Sequence, residues 1–176
     1  MYHPMKGYPG QPTYHAPLAI AKANNFNLRL FSVHKIGSKK PLKDLKKYNP
    51  WQQATSSNVA DFSAIGYFYG QQLQQILDCP VGIIHTSWGG STIQSWMSEK
   101  TVSNYENIHR KETHTQRTPT ALFNAMIHPL IPYTIKGMLW YQGESNRNNP
   151  ELYKKLFPAM VKDWRTRWGI GDFFFN

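Results

Sequence analysis

Two spacings of apolar residues run along the chain and divide it into alternating short strands and longer helices. Leu28, Leu30 and Phe31 lie in a short run bounded by Asn27 and a lysine-rich segment, which predicts a strand over 28–33. Phe62, Ile65, Gly66, Phe68, Tyr69, Leu73, Ile76 and Leu77 recur three and four apart, which predicts an apolar helical stripe from an Asn58 N-cap to about Leu77. Asp78-Cys79-Pro80 ends that helix. Val81 to Thr86 follows as a continuous apolar run before a turn, the pattern of an internal parallel strand, and Ile135 to Tyr141 reads the same way.

The remaining segments are marked by their caps and breakers. Pro17 to Ala23 predicts a short helix, and Ser91 or Thr92 can cap the segment holding Ile93 and Trp96. Thr118-Pro119 opens a helix to about Ile127, with Pro129 and Pro132 at its exit. Asn149-Pro150 opens the last helix, with Leu152, Leu156, Met160 and Trp164 on one face and a kink expected at Pro158. Phe173-Phe174-Phe175 reads as the start of another strand. Residues 35–51 and 98–117 are the long polar connections. Strand–helix alternation of this kind predicts βαβ units, hence an α/β fold with a parallel sheet covered on both faces.

Composition narrows the class only a little. A hydrophobic content of 40% with 14% aromatics suits a folded globule, and 176 residues suffice for a sizeable core. The single cysteine, Cys79, excludes an internal disulfide framework, and no apolar run is long enough to cross a bilayer as a helix. The beginning of the chain is polar and proline-rich and carries no secretory leader pattern. The net charge of +10 comes largely from Lys35 to Lys47, with six lysines against Asp44. No nucleic-acid module accompanies these lysines, so they read as a solvated segment and not as a nucleic-acid surface.

The chemistry concentrates in two strings. Trp88-Gly89-Gly90-Ser91-Thr92 and Trp140-Tyr141-Gln142-Gly143-Glu144-Ser145-Asn146 each follow a predicted strand and precede a predicted helix. Glycines and side-chain amides at two such turns can aim N–H groups at one anion, which is what a tetrahedral oxyanion requires. Alone, Gly89-Gly90 would be an ordinary tight turn. Ser145 is a rival: Gly143-Glu144-Ser145 lies between strand and helix like a nucleophile elbow, but no acid–base partner is visible beside it. His109 and His114 lack ligand spacing for a metal. His85 reads as a packed, hydrogen-bonded core residue and His128 as an ordinary one.

These strings, with Val81 to Ser91, Thr118 to Ile127 and Phe157 to Arg165, resemble the sialate O-acetylesterase family, a carbohydrate-esterase branch of the SGNH (GDSL-like) serine hydrolases. The likeness implies a three-layer αβα sandwich with a mostly parallel sheet, incomplete at both ends, so that residues 1–176 are a partial esterase domain. It implies a nucleophilic serine just upstream, near Met1, and an Asp-x-x-His acid–base pair downstream. None of Asp44, Asp61, Asp78, Asp163 and Asp172 has a histidine three residues later. It further implies oxyanion donors at Gly90 or Gly89 and at the Gln142 amide, with Asn146 as the alternative donor. Ser91, Glu144 and Asn146 are assigned to the substrate side. The implied partner is an O-acetylated carbohydrate, without cofactor, metal, nucleic acid or membrane, in a secreted or periplasmic setting. The alternative is a catalytically dead carbohydrate-binding remnant.

Overall fold

The computed structural model describes residues 3–106, 108 and 114–176. The described residues group into two compact units, one within 3–34 and 47–87, the other within 35–46 and 88–176.

In the first unit, helix α1 (Ala16–Ala21) precedes strand β1 (Asn24–Val33), β2 (Tyr48–Thr55), helix α2 (Ala64–Leu77) and β3 (Val81–His85). The sheet order is β2-β1-β3, with β1 antiparallel to β2 and parallel to β3, so this sheet is mixed. Strand β2 lies where the sequence predicts a connection; its polar run Tyr48-Asn49-Pro50-Trp51-Gln52-Gln53 carries no apolar signal because its residues up to Gln52 stay exposed. Leu28↔Val81 through Ser32↔His85 sets the β1–β3 register. Met5, Ala16, Leu28, Leu30, Ala54, Val59, Phe62 and Tyr67 form the core beneath the sheet.

Two expectations about α2 fail for identifiable reasons. The helix starts at Ala64 with Ser63 as its cap, Ser63 Oγ accepting from Gly66 N–H at 3.2 Å. Asn58 instead closes the preceding turn, accepting from Thr55 N–H and donating to Gln53 O. The residues that α2 buries are Ala64, Gly66, Tyr67 and Gly70, of which the predicted stripe held only Gly66; Ile65, Phe68, Tyr69, Ile76 and Leu77 of that stripe are exposed. Gly70 explains the choice. A Cβ there would stand 2.7 Å from Ile83 and 2.9 Å from Leu28, so its absence lets the helix approach β1 and β3 closely.

The second unit carries a 3₁₀ turn (Ile93–Trp96), α3 (Glu99–Val102), a π-helical segment (Phe123–Ile127), β4 (Gly137–Met138), α4 (Pro150–Trp168) and β5 (Phe174–Phe175), with β4 and β5 parallel. The predicted strand over 135–141 is thus paired as a strand only at Gly137–Met138, and the helix expected after Thr118-Pro119 takes π geometry. Helix α4 begins as predicted, Asn149 Oδ1 accepting from Leu152 N–H, and runs without a break through Pro158. Trp164 and Trp168 are buried on α4, and their indole N–H groups donate to Trp96 O and Tyr133 O. The lysine-bearing segment 35–46 is anchored, not loose. Asn124 donates to Ser38 O and accepts at its carbonyl from Leu42 N–H, while His128 Nδ1 meets Leu42 O at 2.9 Å. Among the described residues no helix is long and apolar enough to cross a membrane.

Candidate active site

Trp88 to Ser91 forms a tight turn, with Ser91 N–H donating to Trp88 O at 3.3 Å and Gly90 at φ +75°. Glycine is required at 90 because a side chain in that left-handed region is strained. Both glycines are exposed and a Cβ on either would meet nothing within 4 Å, so the turn borders open space. Among the described residues neither the Gly89 nor the Gly90 N–H has a protein acceptor.

The second string is bonded directly to this turn. Gln142 Nε2 donates to Ser91 O at 2.9 Å and to Asn146 Oδ1 at 2.9 Å. Asn146 is buried, and its Oδ1 also accepts from Ile93 N–H at 2.9 Å while its Nδ2 donates to Gln94 Oε1 at 2.9 Å. The two strings, fifty residues apart, are therefore held together by one network of amides. Asn146 also performs the capping role that the sequence assigns to Ser91 or Thr92. The Thr92 side chain makes no cap bond, and the turn at Ile93 is capped from 53 residues away.

This network fixes what each expected residue is free to do. Both hydrogens of the Gln142 amide are engaged inside the protein, whereas its Oε1 is buried with no partner among the described residues. Ser91 is buried, its Oγ accepting from Trp96 Nε1 at 2.9 Å and its carbonyl from Gln142. Asn146 has its oxygen and one N–H engaged. Glu144 is exposed, and its charge acts on Tyr153. The Tyr153 hydroxyl donates to Gln142 O at 2.8 Å and accepts from Trp140 Nε1 at 3.2 Å. Burial pushes its pKa up, opposed by the Trp140 hydrogen bond and reinforced by Glu144.

Three participants escape sequence reasoning: Gln94, Tyr153 and Arg117. Arg117 Nε donates to Gly90 O at 3.3 Å, and Thr92 Oγ1 donates to Arg117 O at 3.3 Å. The only sequence signal for Arg117 is its place directly before Thr118-Pro119. Ser145 makes no hydrogen bond among the described residues. Trp96 and Trp140 belong to an aromatic core, ring edge to ring face at 6.3 Å, and Trp140 meets Trp164 at 5.9 Å. Tyr141 is 54% exposed. His85, in the other unit, is hydrogen-bonded as expected, to Ser87 Oγ at 2.7 Å, with its ring against Phe62. His109 lies outside the described residues. Among the described residues no three His, Cys, Asp or Glu side chains could hold a metal. A groove of about 620 Å³ lined by Phe157, Val161, Arg165, Asp172 and Phe175 contains none of these site residues.

Comparison with known proteins identifies the family of this α/β chain. The family model for carbohydrate esterase, sialic acid-specific acetylesterase, matches residues 32–175, so the chain belongs to that family. The human sialate O-acetylesterase is 36% identical over 163 residues, covering 83% of this chain and 30% of its own length. The mouse sialate O-acetylesterase is 32% identical over 184 residues, with 83% and 34% covered. The crystal structure of a carbohydrate acetylesterase from Xanthomonas citri superposes with a TM-score of 0.85 at 35% identity, over 98% of this chain and 37% of that one. The chain thus spans about a third of the length of the relatives it matches.

Proposed function

We propose that the chain supplies the oxyanion-binding loops of a carbohydrate O-acetylesterase that cleaves acetyl esters by a serine acyl-enzyme route. On this reading residues 1–176 are part of an SGNH-type three-layer domain, and the serine and the Asp-x-x-His pair come from segments outside them. The serine oxygen attacks the acetyl carbonyl and its proton passes to the histidine; collapse of the tetrahedral intermediate expels the sugar alkoxide, which takes that proton. Water then deacylates the serine by the same path.

The observation that carries this reading is the exposed Gly89–Gly90 turn with two unengaged N–H groups, held by Gln142 and Asn146. Gly90 N–H is the principal donor. Gln142 contributes by fixing Ser91 and the turn; it becomes a donor itself only by releasing Ser91 O or Asn146 Oδ1. Substrate hydroxyls meet Glu144, the exposed polar side chain of the second string. The test is acetate release from an O-acetylated sialic acid by the gene product that carries this chain with its flanking segments. Turnover that survives Ser145→Ala supports the assignment, and turnover abolished by that change moves the nucleophile to Ser145. A folded product that binds the sugar without releasing acetate is the carbohydrate-binding remnant instead.

A further inference from the structure

We infer that Arg117 is a specificity-determining residue that binds the carboxylate of an acidic sugar, so that the site selects acidic over neutral acetylated sugars. The inference rests on the carbohydrate-ester reading above and adds the group that chooses the sugar. Arg117 is held from three sides. Its N–H donates to His114 O at 2.9 Å, its carbonyl accepts from Thr92 Oγ1, and its Nε donates to Gly90 O.

The Nε bond ties the guanidinium to the turn, and Nη1 and Nη2 are without a protein acceptor among the described residues. No carboxylate among them lies within ion-pair distance of it, in contrast to Arg167, which is bidentate on Asp163 at 2.9 and 3.0 Å. An exposed, tethered fork with no carboxylate partner among the described residues, beside a turn whose N–H groups are unengaged among them, is matched to a planar anion. A guanidinium end binds a carboxylate through two parallel N–H bonds, a geometry that lysine cannot reproduce. Its tether to Gly90 reduces the side-chain freedom lost on binding.

A double-mutant cycle tests this without any need for turnover. Binding of N-acetylneuraminic acid and of its methyl ester is measured by calorimetry on the gene product that carries this chain with its flanking segments and on its R117Q variant, with circular dichroism confirming that both are folded. The methyl ester keeps the sugar and removes the charge. Wild type should bind the acid about 10- to 100-fold more tightly than the ester, the range for a charge-assisted pair. R117Q should lose that preference and leave ester binding within about twofold. The advantage should also shrink with added salt. A preference that persists in R117Q, an equal loss for acid and ester, or no binding of the acid by wild type overturns the assignment. Loss of the preference with ester binding retained leaves the esterase reading to its own acetate-release test.

Discussion

Replacing Asn146 by Ala removes three hydrogen bonds at the point where the two strings meet, and the cost can be worked from the structure. Ile93 is fully buried, so its N–H would be stranded without solvent, at about 1–3 kcal/mol. Gln94 Oε1 would lose its donor and Gln142 one of its two acceptors, each partly solvated and worth about 0.5–1 kcal/mol. The sum is about 3 kcal/mol. With an m-value of about 2 kcal/mol per molar urea, the unfolding midpoint should fall by about 1.5 M. Tryptophan fluorescence reports the transition, because Trp96, Trp140 and Trp164 pack together beside this network. Asn146→Asp separates the network from mere packing. A carboxylate still accepts from Ile93 and Gln142, and the Gln94 amide can turn to donate a third bond, so most of the loss should be recovered. An Ala variant within about 0.3 M of wild type, at unchanged m, would mean that these three bonds add no net stability.

Other expectations follow from single contacts. Gly89→Pro deletes one N–H at a position where proline suits the turn, since Gly90 and not Gly89 carries the positive φ. It should leave kcat for acetyl release within about threefold; a drop of about 100-fold or more would make Gly89 the donor. Tyr153→Phe should cost about 1 kcal/mol in urea unfolding by freeing Gln142 O and Trp140 Nε1. Burial raises the pKa of both Tyr67 and Tyr153 above 10.0. Their contribution to stability is therefore complete below pH 10 and is lost as pH rises through the higher folded-state values. Unfolding free energy should fall above pH 10, less steeply in Tyr153→Phe; a flat profile contradicts this. Gly70→Ala should cost about 1–3 kcal/mol by overpacking against Ile83 and Leu28, measured by thermal unfolding.

Sequence reading recovered what local chemistry dictates. The Asn149-Pro150 cap and the strands at 28–33 and 81–85 were legible, because each rests on neighbouring residues. Features set by distant partners were not. Strand β2 is polar because only one residue late in it, Ala54, is buried. The stripe on α2 misled because Gly70, without a side chain to signal burial, marks the buried face. Asn146 looked like a hydroxyl or anion ligand, yet its amide reaches Ile93 and Gln94 across 53 and 52 positions. Arg117 gained significance only when folding brought it to Gly90.

The claim that the Gly90 N–H stabilises the developing oxyanion is tested most directly by placing glycolic acid at position 90 of the gene product with its flanking segments. That exchange replaces one N–H by an ester oxygen and keeps the turn's shape. The kcat for acetyl release should fall about 100- to 1000-fold while KM is little changed. An unaltered kcat would contradict it.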